Sequence, residues 1–168
     1  MSLPADIPVD APPLPAVVER IFISPGHNFF GRKVPDADSH PLLEVSEVRC
    51  LAGRGLEGDR FLDFKDNYSG QVTFFDLAVF DELVRALGIH DKIPGVLRRN
   101  VFLRGVDLNE WADRRFSLQG IVFDGAKEAA PCAWMDLAFG PGAHEFLKGR
   151  GGLRARIVTT GALRVRMP

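Results

Sequence analysis

Metal-binding spacing is the first thing this sequence lacks. Its two cysteines, Cys50 and Cys132, form no CxxC, and its four histidines (His27, His40, His90, His144) include no close pair. The local ligand pattern of a structural zinc site is therefore missing. A chain of 168 residues that is 46% apolar can bury a core without cross-links, so both thiols are read as free. Long apolar runs are missing as well. The longest stretch without a charged side chain runs from Ile21 to Gly31 and is broken by Pro25, far short of the roughly 20 apolar residues that span a bilayer. No membrane partner is expected. The first basic residue, Arg20, follows a proline-rich opening, which is not the basic-then-apolar order of a secretory signal, so a cytoplasmic location is expected. Charge of one sign is not in excess either. With 21 basic and 22 acidic side chains, no global field draws the chain to nucleic acid.

The residues that are present describe one globular domain after a tail. Eight of the twelve prolines fall by Pro41, and residues 1–16 have no apolar periodicity, so they read as a mobile or strapped-on tail ahead of a single domain over 17–168. Val17 to Ser24 is β-branched and aromatic and reads as a strand. Pro25 to Pro41 reads as a long loop, in which His27 and Asn28 could meet a substrate. Leu42 to Leu51 reads as a second strand, followed by a glycine-rich turn from Gly53 to Asp59. Gln71 to Phe75 is a strand; Asp76 then stands as an N-cap to a helix over 77–87 that Gly88 ends. Val101 to Leu103 predicts a strand and Leu108 to Trp111 a helical turn. Phe116 to Glu128 predicts a hairpin pivoting on Asp124-Gly125. Two brief helices are expected over 133–139 and 143–147, and a closing hairpin around Gly161. Many short strands, one long helix and no βαβ alternation point to a mainly β fold with helical insertions, of the barrel or sandwich kind.

Three places could carry chemistry. Cys132 offers a soft nucleophile and soft metal ligand where a loop enters a helical turn, a position that favours the thiolate. Arg98 and Asn100 are expected on one face of a strand, with Arg99 on the other. Together they would supply a charged fork for phosphate and an amide for a heterocycle. Asp59 and Arg60 lie in the glycine-rich loop, which could approach a ligand. From Leu147 to Pro168 there are six basic residues and no acidic one, so that end can present an anion-attracting face.

The order of segments adds to this. Gly55-Leu56-Glu57-Gly58-Asp59-Arg60, Gly70-Gln71-Val72-Thr73, Arg98-Arg99-Asn100-Val101 with Gly105-Val106-Asp107-Leu108, Pro131-Cys132 and Arg150-Gly151-Gly152-Leu153 follow one another in the sequence. This succession resembles the MOSC domain family, named for the C-terminal domain of molybdenum cofactor sulfurases. Val165-Arg166 departs from it, standing where the family usually closes its last hairpin with Gly-Asp. The resemblance implies an α+β domain built on a closed or partly closed β-barrel. It implies binding of the molybdenum cofactor, molybdopterin, a phosphorylated pterin dithiolene. Cys132 would be the catalytic and metal-ligating residue, and Arg98, Asn100, Asp59 and Arg60 the cofactor-binding ones. Two roles follow from it: reduction of small N-hydroxylated compounds, with electrons from a separate redox partner, or a carrier without catalysis of its own, which holds sulfur as a persulfide on Cys132, supplied by a cysteine desulfurase-type donor, or delivers the molybdenum cofactor to a partner. A third reading, a binding module with an inert Cys132, is also open. If the site exists, Cys132, Arg98, Asn100 and the Asp59-Arg60 loop should line one cleft although they are far apart in sequence.

Overall fold

The computed structural model describes residues 11–26 and 41–166. The expected loop contacts His27 and Asn28, and the first ten residues of the tail, lie outside them. Among the described residues, ten strands form two sheets. The larger has seven strands in the order β2-β1-β6-β5-β9-β8-β7, and the smaller three in the order β10-β3-β4. In chain order they are β1 (Val17–Ile23), β2 (Leu43–Val45), β3 (Glu47–Leu51), β4 (Gly55–Leu56), β5 (Val72–Asp76), β6 (Val101–Arg104), β7 (Arg115–Leu118), β8 (Ile121–Glu128), β9 (Leu153–Ile157) and β10 (Gly161–Arg164). The helices are α1 (Leu77–Leu87), α2 (Trp134–Phe139) and α3 (Ala143–Leu147), with single 3-10 turns at Pro94–Leu97 and Leu108–Trp111. No helix among the described residues is long and apolar enough to cross a membrane.

The central strands are apolar on both faces because both are covered. Successive residues of a strand point to opposite sides. Ile21, Phe74, Val101 and Leu103 accordingly join one core cluster, together with Val48, Cys50, Leu56 and Leu163 of the small sheet. Phe22, Phe75 and Phe102 join the other, with Leu77, Leu83, Met135, Ala143 and Leu147 of the three helices. The large sheet is thus packed between the small sheet and a helical layer. Each fully buried Phe or Leu contributes roughly 1.5–3 kcal/mol to that packing.

The mainly β, α+β class holds, whereas the closed barrel does not. Among the described residues β2 and β7 remain opposite edges of the large sheet, and β10-β3-β4 is a separate sheet. The helix over 77–87 forms with the expected caps: the Asp76 carboxylate accepts from Ala78 N at 2.9 Å, and Gly88 takes the left-handed conformation with φ 63°. It also completes a βαβ unit absent from the sequence reading, since β5 and β6 pair in parallel. Three strand readings change. Leu42 to Leu51 divides into β2 and β3, which belong to different sheets. The hairpin over 116–128 turns at Gln119-Gly120, with φ 50° and 80°, while Asp124 and Gly125 lie inside β8, opposite Arg115 and Ala155. Gly161 does not join β9 to β10 as a hairpin either, because β9 pairs with β5 and β8 and β10 pairs with β3.

Candidate functional site

The turn after β4 is tied to the end of β1 by one buried carboxylate. Asp59 accepts from Ser24 N at 3.0 Å and from the Arg60 guanidinium at 3.1 Å through Oδ1, and from Phe61 N at 3.3 Å through Oδ2. Asp59 thus has no oxygen turned to a ligand; it holds Arg60. The Arg60 side chain is only 7% exposed and its Nη2 donates to Arg98 O at 3.4 Å, yet its Nε has no partner among the described residues. Burial lowers the Arg60 pKa, with the Asp59 charge opposing. A buried guanidinium N–H without an acceptor is costly unless something else supplies one.

The segment 98–100 is not the alternating strand that its sequence suggests. Arg98 caps the 3-10 turn Pro94–Leu97 in the left-handed conformation, φ 64°, and β6 begins only at Val101, so the face argument that separated Arg98 from Arg99 fails. Both line the same cavity. The Arg98 guanidinium lies 5.4 Å from the centre of the Trp134 ring. Arg99 donates to Gly151 O at 2.8 Å, Leu97 O at 3.2 Å and Ala129 O at 2.7 Å, with a longer contact to Ala130 O at 3.5 Å. One side chain thereby gathers three stretches of backbone.

Asn100 faces inward and does not line the cavity. It is 2% exposed; its Oδ1 accepts from Thr73 N at 3.1 Å and Thr73 Oγ1 at 3.0 Å, and its Nδ2 donates to Phe22 O at 3.1 Å. The residue clasps β5 to β1 across the start of β6. Asn100→Ala would strand buried donors and an acceptor, each worth roughly 1–3 kcal/mol, and a loss of about 2–4 kcal/mol in urea unfolding is expected. A change below about 0.5 kcal/mol would contradict that structural role.

Cys132 is exposed and precedes α2, which has only six residues. The Cys132 carbonyl accepts from Met135 N at 2.9 Å, and Trp134 Nε1 donates to Val96 O at 2.8 Å, which fixes the ring beside the 3-10 turn. A cavity of about 240 Å3 brings Cys132, Arg60, Arg98, Arg99, Arg154, Tyr68 and Trp134 together. Of the residues expected to share a cleft, Cys132, Arg98 and Arg60 do line it. Asp59 and Asn100 support it from behind.

The cavity is strongly cationic. Burial brings the Arg98 pKa down to about 10, helped by repulsion from Arg60 and opposed by Cys132 and Asp59. Arg99 also falls to about 10, first through burial, with Cys132 opposing and Arg154, Arg60 and Arg98 adding to the fall. With values near 10, Arg98 and Arg99 stay charged at neutral pH, and an anion entering the cavity would relieve their repulsion. Gly151 shapes the wall, because a Cβ there would collide with Ala129 O; glycine lets the two carbonyls converge on Arg99. A larger recess of about 530 Å3 lies beside the start of α1. Its guanidinium groups are satisfied within the chain, Arg150 by Glu82 at 2.6 Å and Arg104 by Asp81 at 2.8 Å, so it makes no comparable demand for an anion.

Sequence reasoning missed Arg99 as a lining residue, and with it Arg154, Tyr68 and Trp134. Arg154 was the most accessible of these. Leu153–Ile157 alternates strictly between buried and half-buried residues, and the R-x-R spacing of Arg154 and Arg156 puts both on one face of β9.

No protein-family model matches the chain, and no curated protein matches it in sequence. Solved structures do match its fold. The YuaD protein of Bacillus subtilis is 15% identical with a TM-score of 0.68, over 89% of this chain and 91% of that one. YiiM of Geobacillus stearothermophilus is 12% identical with a TM-score of 0.63, over 89% of this chain and 71% of that one.

Proposed function

We propose that the chain is a MOSC-type domain that binds the molybdenum cofactor and reduces N-hydroxylated compounds with electrons from a separate redox partner. The observation that carries this reading is the convergence of an exposed thiol and four guanidinium groups on one cavity, from stretches as far apart as Arg60 and Arg154. The fold shared with YuaD and YiiM is in keeping with it.

The residues present fit such a cofactor. Among the described residues no group of three or more His, Cys, Asp or Glu side chains could hold a metal ion. A dithiolene-held metal would bring most of its ligands with it, and a thiolate such as that of Cys132 suits such a soft, sulfur-rich centre. The unpartnered Arg60 Nε and the Arg98 guanidinium are suited to the cofactor's phosphate. When bound, the cofactor supplies two-electron redox chemistry. In the overall reaction the substrate N–O bond breaks, two electrons and two protons are taken up, and the amine or amidine N–H and water are formed. Cys132 would ligate the metal, Arg60 and Arg98 would hold the anionic end, and Arg99 would keep the Cys132 loop against Gly151. Trp134 and Tyr68 would exclude water from the walls. Both cysteines are free thiols, in keeping with the cytoplasmic setting we assign.

Exposure of Cys132 also favours a second reading, in which a desulfurase-type donor loads it with sulfur. Purification from a molybdenum-replete host decides between them. About one molybdenum and one pterin per chain, with reduction of a hydroxylamine or hydroxamate by a chemically reduced dye, supports the reductase; cyanide-labile sulfur without metal supports the carrier and overturns the first reading.

A further inference from the structure

Gly105-Val106-Asp107-Leu108, one of the segments singled out by its order in the sequence, has no part in the Cys132 cavity. It leaves β6 through Gly105, φ 86°, and enters the 3-10 turn that Asp107 caps by accepting from Asn109 N at 3.1 Å. Asp76 does the same for α1 at the end of β5. Because β5 and β6 run parallel, both carboxylates stand beyond the carboxyl ends of their strands, where a sheet with a crossover helix leaves a crevice. The recess of about 530 Å3 lies there. The Cys132 cavity is at the other end of the same strand pair, where Thr73, Arg98 and Arg99 line it.

The recess falls within the roughly 300–1,000 Å3 of small-molecule sites, and its floor is apolar and firmly held. Val106 and Leu108 belong to one core cluster, and Val79 packs against the other. Its charges do not balance. Arg104 and Arg150 are matched by Asp81 and Glu82, whereas Asp76 and Asp107 form no ion pair among the described residues. In each of them only Oδ1 accepts a hydrogen bond among the described residues, the one from the capping N–H, so Oδ2 is open to a donor from outside. A metal ion does not answer the need, since no group of three or more His, Cys, Asp or Glu side chains among the described residues could hold one. We propose that this recess is a second ligand site, one that takes an organic cation with an apolar body, an amine or amidine. Its N–H groups meet Asp76 and Asp107 in charge-assisted hydrogen bonds, and its hydrocarbon part covers Val79, Val106 and Leu108. The guanidinium groups around Cys132 repel the same cation, so the two ends of the strand pair select ligands of opposite charge.

The test uses benzamidine, a planar cation, and benzamide, its neutral counterpart, with binding measured by calorimetry on the purified full chain at low salt. Wild type is expected to bind benzamidine about tenfold more tightly than benzamide. Asp76→Asn and Asp107→Asn should each weaken benzamidine about threefold or more and leave benzamide unchanged. Asn caps a helix as well as Asp does, so both variants remove charge while keeping the fold. Added salt should weaken benzamidine alone. By NMR, benzamidine should shift the amide signals of Gly105, Gly149 and Gly152, and Cys132→Ser should bind it as wild type does. Equal affinity for the two probes, binding of neither, or undiminished benzamidine affinity in either Asn variant overturns the site. Shifts confined to the residues around Cys132, or loss of benzamidine binding in Cys132→Ser, also overturn it, since the cation would then occupy the other cavity.

Discussion

Cys132→Ser is expected to remove molybdenum from the purified protein, at least tenfold below wild type by metal analysis, while urea unfolding shifts by no more than about 0.5 kcal/mol. The asymmetry follows from position. Cys132 is exposed, and a surface substitution of similar volume seldom costs more than that. An alkoxide is disfavoured at neutral pH, whereas a thiolate forms readily and binds soft metals. Cys50→Ser should behave in the opposite way. Cys50 has no exposed surface, burial pushes its thiol up to about 12, and a hydroxyl in its place enters an apolar cluster at a cost of about 1–3 kcal/mol, with metal retained. Wild-type loading in Cys132→Ser would remove both the reductase and the sulfur-carrier readings.

Arg99→Ala carries the largest expected effect on stability. Its guanidinium donates to carbonyls of Leu97, Ala129 and Gly151, and loss of one buried partner strands an acceptor at roughly 1–3 kcal/mol. With three acceptors affected, a loss of about 3–5 kcal/mol is expected, together with loss of cofactor, because the Cys132 loop is no longer fastened to the turn at Gly151. Arg99→Lys should rescue little, since an ammonium cannot reproduce a planar fork of donors. Arg98→Ala should weaken ligand retention with a smaller change in stability. Equal stability of Arg99→Ala and wild type in urea would refute the clamp.

Much of the local structure was legible because short-range chemistry decides it. The helix over 77–87 follows from an Asp cap, an apolar repeat and a terminal Gly, and all three act within a few residues. Asp124-Gly125 misled because tertiary packing overrides a common turn pair. Asp124 faces Arg115 across the hairpin at 2.6 Å, and Gly125 lies where the Trp111 carbonyl leaves no room for a Cβ. The true turn uses Gln119, a residue with no strong turn signature. Ser46 shows a similar limit. Nothing in the run from Leu42 to Leu51 marks the point at which the strand leaves one sheet for another. In the site, the thiol and the arginines could be named from residue type and order, but their roles could not. Asp59 is a tether because its loop turns the carboxylate back onto Ser24 N and Arg60; Asn100 is a clasp and Arg99 a lining residue because the left-handed turn at Arg98 resets the alternation, and a single positive φ leaves no trace in the side-chain pattern.

The tail has a consequence for how far the large sheet can extend. Leu14 N donates to Ser117 O at 2.8 Å and Ser117 N donates to Pro12 O at 3.0 Å, so residues 12–14 occupy the outer side of β7, and Leu14, 4% exposed, enters the core. An edge strand left open offers a template to any other extended chain. Here the place is taken by a segment with prolines at 12, 13 and 15, which lack the N–H donors a further strand would need. The sheet ends in a covering that can donate few bonds to a further strand, and on that side the protein is protected against self-association through its own backbone.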